Sequence, residues 1–387
     1  MVLHLFSKSK EVEEVEKVKA PGFITVENAS VLVTGSSGLV GARLVEMLLE
    51  RGAKFVRGFD IQPADETLVT RFTKASGGDP SRFECVQGNL AEKDQCIAAC
   101  KGMDIVYHIA ALVGPYHDRN KYMLINYHGT LHMLEGAQLH AKSVDKKVRF
   151  VYSSSPSTRF TGDDVTGQRE EELPLPAKFV ALYDESKSFG EKKVSVASFE
   201  EDSKLLTISV APHQVYGPYD SLFLPSLLET AGNDLLRIFG NGSNMISMCY
   251  VDNYCHGLMC GADALEEGAE CLGKFYIVTD GKDQYFWKVL NTAVISMGFT
   301  DLFSKFHLPV WFLMGLAYIC NVVGFIINKK LKLNPFSVKM LVIHRYFSIE
   351  NAKKDLKYEP LFEFDDAWAS TIEWFKKNWL PGYLESK

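Results

Sequence analysis

From Ser30 onward the chain alternates two rhythms. "SVLVT" (Ser30–Thr34) is a short aliphatic run that ends in a Gly/Ser turn. In the following "LVGARLVEMLLERG", Leu39, Val40, Leu44, Met47 and Leu48 recur at helical spacing, and Gly52 supplies a stop. The exchange then repeats. "KFVRGFD", "RFECVQ", "MDIVYHIA", "KVRFVYSSS" and "LLTISVAP" read as strands, with helices near 67–75, 93–100, 122–139 and 183–199 between or after them. Strands alternating with helices predict an α/β fold with a doubly wound parallel sheet. After Gly217 the rhythm loosens into short elements; "GKFYIVTDG" reads as one more strand, and the tail closes on amphipathic helices. The expected organisation is a lead-in over 1–20, a sheet domain over 21–215 and a smaller C-terminal substrate lobe over 216–387.

"TGSSGLVG" (Thr34–Gly41) places Gly35, Gly38 and Gly41 between the first strand and the first helix. Gly35 permits a tight turn, Gly38 lets the backbone approach a pyrophosphate, and Gly41 lets helix pack on strand. The helix then points free N–H groups at the phosphates. With Ser37 and Leu39, these residues form the candidate dinucleotide cradle of a Rossmann-type sheet. Asp60 ends the second strand where a carboxylate accepts from the ribose 2′-hydroxyl of NAD and repels a 2′-phosphate. NAD is the expected cofactor, and Arg57, close by in sequence, keeps NADP possible. The spacing Gly-x-x-Gly-x-x-Gly resembles the extended short-chain dehydrogenase/reductase superfamily.

"YDESK" puts Tyr183 and Lys187 at i and i+4 of a helix, on one face. A free tyrosine has a pKa near ~10, and bringing it to neutrality takes about 4 kcal/mol of differential stabilisation. The Lys187 ammonium and the positive ring of oxidised nicotinamide are the expected sources. In "FVYSSSPST", the resemblance implies that Ser155 is the catalytic serine that donates to the substrate oxygen, with Ser154 as the alternative.

Within the superfamily, "GFDIQP", "VYHIAALVG", "NYHGTLHMLE", "VYGP", "MCYVDNYCHG" and "RYFSIENAKKDLKYEP" resemble the 3β-hydroxysteroid dehydrogenase/isomerase family. The Asp163–Pro174 spacer and "FYIVTD" are most similar to its sterol-4α-carboxylate 3-dehydrogenase (decarboxylating) branch. The likeness runs from about Ala29 to Trp374. It implies that Asn89, Leu90 and Ala110 join the cofactor site, and that Asn126 lies near the nicotinamide end. Asn89 stands where the family usually has Asp, and Ala211 where many relatives have Arg. His108 and His213 read as core or pocket-wall residues. The implied reaction is oxidation of a sterol 3β-hydroxyl, with loss of CO2 if the substrate carries a 4α-carboxylate. The rivals are a 3β-hydroxysteroid dehydrogenase/Δ-isomerase, a nucleotide-sugar epimerase or dehydratase, and a non-catalytic NAD(H)-binding regulator. The last fits poorly with retention of Ser155, Tyr183 and Lys187.

Composition narrows this further. The net charge of −6 and the lack of a basic block leave nucleic-acid binding without an electrostatic footprint. The 8 cysteines show no CxxC pair, which predicts reduced thiols and no metal site. The N-terminus lacks a secretory signal, and Glu11–Lys19 alternates charge with valine. One stretch is out of character for a water-soluble enzyme. Leu308–Asn328 carries no charge and is followed by Lys329, Lys330 and Lys332. A buried lobe helix, a membrane span and a helix dipping into one leaflet are the three readings, with membrane association expected. By resemblance the location is the endoplasmic reticulum membrane with the catalytic domain facing the cytosol, and a homodimer is possible.

Overall fold

The computed structural model describes residues 26–114, 117–327, 331 and 333–387. The expected lead-in over 1–20, and Asn328, Lys329, Lys330 and Lys332, lie outside them. Seven parallel strands form the central sheet: β1 (Ser30–Thr34), β2 (Phe55–Asp60), β3 (Phe83–Gln87), β4 (Ile105–His108), β5 (Val148–Ser153), β6 (Leu205–Pro212) and β7 (Phe275–Val278). Their spatial order is 3-2-1-4-5-6-7. The order reverses between β1 and β4, and such a switch point opens a crevice at the carboxyl ends of the strands.

Strand alternation builds two cores. Val31 and Val33 of β1 join a cluster with Leu44 and Leu48 of the first helix and Leu258 of helix Val251–Asp263. Leu32, one residue out of phase, joins Val106, Met133, Ala137 and Phe150 on the other face. Because both faces are covered, β1 is buried almost throughout. Two elements from beyond residue 215 belong to this layer: β7 pairs with β6, and helix Val251–Asp263 packs on β5 and β6. The C-terminal lobe is therefore continuous with the sheet.

The long helix expected over 122–139 is broken. Arg119–Tyr122 is α-helical, Met123–His128 is a π-helical turn, and Gly129–Val144 resumes the α-helix. The wider turn carries Asn126, whose amide exchanges hydrogen bonds with the backbone of Leu112 at 2.7 and 3.0 Å. It also donates to Ser186 Oγ at 3.0 Å. Such π-turns cluster where a side chain must be re-aimed.

A four-stranded sheet, in the order Gln284–Tyr285, Met245–Ile246, Arg345–Phe347, Val165–Gln168, ties the lobe to the spacer that follows β5. The charge-free stretch forms a 17-residue helix, Val310–Ile326. Leu308 is held outside it, donating to Ile238 O and accepting from Gly240 N, and Pro309 caps the start. At 1.5 Å per residue the helix is about 26 Å long. Among the described residues no helix is long and apolar enough to cross a membrane. The buried-helix reading also fails. Only Leu313, Ala317 and Gly324 are buried, while Trp311 is 77%, Phe325 87% and Ile326 74% exposed.

The tightest approach in the sheet layer is at Gly41, where a Cβ would lie 2.0 Å from Gly35 O. The obstacle is backbone, so the helix must shift to accept a methyl group. Gly41→Ala is expected to cost about 1–3 kcal/mol, as overpacking does. Urea unfolding measures this; an unchanged midpoint would show that the helix moves freely.

Candidate active site

The glycine turn is built as a dinucleotide cradle requires. Gly35 has φ +75° and donates to Phe59 O at 2.8 Å, which continues the β1–β2 pairing into the turn. A Cβ on Gly38 would meet only Gly35 O, at 3.4 Å, so space opens beside that residue. Gly38 caps the helix without a side-chain bond, and Leu39 begins it. The first helical N–H groups therefore point at an anion site with no competing side chain. Asp60 fixes this turn: Oδ2 accepts from Ser37 N at 3.0 Å, and Oδ1 from Gln62 N at 2.9 Å. Ser37 Oγ donates to Gln62 O. Ala110 backs onto Gly35, and its N–H donates to Thr34 Oγ1 at 3.0 Å.

Asn89 closes a turn after β3: its Oδ1 accepts from Ala91 N, and its own N–H donates to Gln95 Oε1. Leu90 is buried against Gly129. These residues all lie along the carboxyl ends of β1 to β4, and the glycine cradle with its strand-end carboxylate fits NAD. Arg57 is engaged with Glu84 and with the carbonyls of Ala99 and Lys101 at 2.8 Å.

Tyr183 and Lys187 lie on helix Leu182–Ala197, which packs against the turn Pro156–Arg159 after β5. Lys187 is buried. Its Nζ donates to Ser153 O at 2.6 Å and lies 4.0 Å over the Tyr152 ring. The three serines at the strand end have separate fates. Ser153 Oγ bonds Tyr254 OH at 2.7 Å. Ser154 donates to Glu191 Oε2 at 2.5 Å inside the protein, in a buried cluster where Arg159 and Glu191 pair. That engagement disqualifies Ser154 as the substrate donor. Ser155 is half-buried, and its Oγ lies 2.9 Å from Ser157 Oγ.

Burial dominates the electrostatics of Tyr183 and Lys187 in the chain alone. Burial, then the Asp184 carboxylate, hold the Tyr183 phenol above the usual tyrosine range. Burial also drives Lys187 from 10.5 down to about 7, with Glu191 opposing the shift. The physical reason is that both groups have lost water; the ammonium is held by the Ser153 carbonyl. His108, bonded to Thr34 and Thr130, is pushed down to about 3 by burial and belongs to the core. His213 is likewise held neutral and lines a pocket.

Tyr183 lines a cleft of about 1070 Å³ with Tyr122, Val180, Cys320, Gly324 and Phe325. The last three come from the apolar helix. A second cavity, of about 40 Å³, adjoins through Phe336, which lines both. Asp184, Ser157, His213 and Arg345 are in its wall. A separate hollow of about 640 Å³ beside Arg43 and Asp252 contains none of the catalytic candidates. All eight cysteines are free thiols, and six of them are buried.

The model of the 3-beta hydroxysteroid dehydrogenase/isomerase family matches residues 32–310. The chain belongs to that family. It is 29% identical over 349 residues to the human protein named sterol-4-alpha-carboxylate 3-dehydrogenase, decarboxylating, covering 89% of this chain and 87% of that one. The fold is similar to an epimerase of Methanothermobacter thermautotrophicus, with TM-score 0.69 and 22% identity over 94% of this chain and 97% of that one. It is also similar to dTDP-glucose 4,6-dehydratase of Streptomyces venezuelae, solved with NAD bound, at TM-score 0.66 and 20% identity over 90% and 97%.

Glu191, Asp184 and Arg345 were not singled out by sequence reasoning. Glu191 is one helical turn beyond Lys187, a spacing that could have flagged it. Arg345 reaches its cavity only through the small sheet, and no local pattern marks it.

Burial of Lys187 has a consequence for stability. Its folded value, about 7, lies below the unfolded 10.5. Between them the unfolded chain binds more protons, so the Lys187 contribution is least favourable below the folded value and improves as pH rises. Lys187→Met removes it. Urea unfolding of both proteins is expected to give a wild-type-minus-variant difference that climbs from about pH 7 to 10. A difference independent of pH would contradict the shift.

Proposed function

We propose that the chain is an NAD-dependent dehydrogenase of a sterol 3β-hydroxyl, acting on a 4α-carboxysterol with release of CO2. The observation that supports this most is the place of Tyr183 on a cleft of about 1070 Å³ walled in part by an exposed apolar helix. Ligand pockets typically occupy about 300–1,000 Å³, so the space suits a rigid ligand of sterol size. A nucleotide sugar fits less well, because no lysine or arginine is among the described residues lining the cleft.

In this reading Ser155 donates to the substrate oxygen, and Tyr183 takes the hydroxyl proton as the C–O bond becomes a carbonyl. When bound, NAD supplies the two-electron acceptor for the C3 hydride. Burial opposes the Tyr183 phenolate, so proton uptake depends on positive charge beside the ring, to which Lys187 contributes. The product is a ketone β to a carboxylate. Cleavage of the bond to the carboxyl carbon releases CO2, its electron pair passes into the enolate, and C4 then takes a proton. No further acid or metal is required by that chemistry.

The same reading places the protein on the endoplasmic reticulum membrane, facing the cytosol. Trp311, Ile319, Val322, Phe325 and Ile326 give helix Val310–Ile326 an exposed apolar surface that suits one leaflet rather than a span. Cys320, Gly324 and Phe325 of that helix also border the cleft, so a sterol would pass from lipid to Tyr183 without crossing water.

Purified protein with NAD and a carboxyl-labelled 4-carboxysterol is expected to release labelled CO2 with matching NADH, and to leave UDP-sugars unchanged. Tyr183→Phe is expected to lower kcat by roughly 10²–10⁴-fold while NAD still binds. Turnover of a UDP-sugar, or full activity of the variant, would overturn the reading. Replacing Trp311, Phe325 and Ile326 together by serine is expected to abolish co-sedimentation with phosphatidylcholine vesicles; retained binding would place the lipid contact elsewhere.

A further inference from the structure

We propose that Arg345 is the specificity-determining residue of the active site, a guanidinium kept without a counter-ion so that it pairs with a carboxylate on the carbon next to the reacting hydroxyl. The inference rests on the sterol-oxidation reading above and adds to it the group that selects an acidic substrate.

Arg345 opens the short strand Arg345–Phe347, paired on one side with Val165–Gln168 and on the other with Met245–Ile246. Its polar contacts are neutral acceptors. Nη2 donates to Met340 O at 2.8 Å, and Nη1 lies 3.3 Å from His213 Nε2. His213 Nδ1 is 2.8 Å from Ser247 O, which fixes the tautomer: Nδ1 donates to the carbonyl and Nε2 accepts from Arg345. Nε of Arg345 is enclosed and has no partner. No carboxylate lies within ion-pairing reach among the described residues, and burial alone lowers the arginine to about 10. The chain pairs its other buried guanidinium in this pocket, Arg159, with Glu191 at 2.5 Å. An arginine left unpaired beside it is costly unless an anion arrives.

The position suits a substrate carboxylate. The cavity holding Arg345 measures about 40 Å³, while the cleft holding Tyr183 measures about 1070 Å³. A space of that smaller size admits two or three waters or one carboxylate, and excludes a ring system. The two spaces adjoin beside Tyr183 and Asp184. Phe336 lines both, Tyr183 lines the large one and Asp184, the next residue, lines the small one. Ser155 Oγ is 2.9 Å from Ser157 Oγ, and Ser157 is in the wall of the small cavity. A hydroxyl held by Ser155 and Tyr183 therefore presents a substituent of the neighbouring carbon to Arg345.

Asp184 completes the pocket. Its carboxyl is bonded by Ser157 and the Ala181 N–H, yet Oδ2 is buried without a partner. Burial raises this carboxyl to about 6, toward the neutral form that can donate to an incoming carboxylate. The remaining lining is apolar, from Phe160, Leu173, Met340 and Phe347. Low polarity of that kind strengthens a charge-assisted bidentate bond.

The test compares two substrates, a 4α-carboxy-3β-hydroxysterol and the same sterol with hydrogen at C4, on wild type and Arg345→Met, each with NAD. Hydrogen bonds to charged groups predict that the variant loses about 10–100-fold in kcat/KM on the acid, chiefly through KM, and keeps its activity on the neutral sterol. A 3-deoxy steroid carrying a 4α-carboxamide or a 4α-carboxylate gives a readout without turnover. The carboxylate is expected to raise the Tm of wild type more than the amide does, and Arg345→Met to erase that difference. Apo Arg345→Met is expected to be as stable as wild type or more so, because an uncompensated charge has been removed.

Equal losses on both substrates, or an unchanged preference for the acid, would overturn the proposal. If Arg345→Met does not fold, Arg345→Lys carries the same comparison: it keeps the charge, loses the fork, and is expected to weaken the preference partially. Failure of the wild type to oxidise either sterol sinks the functional reading itself, which separates that outcome from failure of the Arg345 assignment.

Discussion

One buried ammonium organises the edge of the sheet where the candidate site lies. Lys187 donates to the Ser153 carbonyl at the end of β5 and lies over the Tyr152 ring. It thereby pins helix Leu182–Ala197 to the strand whose next residues are Ser154 and Ser155. Tyr183 is one helical turn earlier, so the same contact sets where its phenol enters the cleft. The pin is strained electrostatically: Lys187 is driven down to about 7, and Glu191 is the carboxylate that offsets part of the burial. Replacing this lysine would free the helix as well as remove a charge, and the two effects belong to one interaction.

Around that pin the fold assembles parts from distant stretches of sequence. The glycine turn after β1 and the carboxylate of Asp60 form one end of the crevice. Asn126, re-aimed by its π-turn, locks the loop at Leu112 and reaches Ser186 on helix Leu182–Ala197. The lobe closes the other side through a small sheet that brings Arg345 beside the spacer strand Val165–Gln168. Apolar surface borders the cleft that Tyr183 lines, and one unpaired guanidinium lines the small cavity beside it, a combination suited to an amphipathic acid.

Much of this was legible in the chain itself. β1 through β6 and their helices follow from period and turn residues, because the central strands are buried on both faces and the edge strand Phe83–Gln87 still carries a β-rich run between turns. The glycine triplet, Asp60 and the pair Tyr183/Lys187 are local patterns with a mechanical reason, and the structure brings them to one edge. Three features were beyond local reading. The π-turn depends on a bond from Asn126 to residues outside its own helix. The exposure of Val310–Ile326 depends on how little of the lobe covers it, which hydropathy cannot report. The unpaired state of Arg345 is a property of its surroundings, and so is the burial that raises the Tyr183 phenol.

The most direct test of the central claim is a crystal structure of the chain with NAD and a non-reactive 3-oxo sterol. The account predicts the steroid oxygen at hydrogen-bonding distance, roughly 2.6–3.2 Å, from the hydroxyls of both Tyr183 and Ser155. It also predicts the ring system along the helix Val310–Ile326. A steroid lodged instead in the hollow beside Arg43 and Asp252, or oriented with its oxygen away from Tyr183, would contradict it.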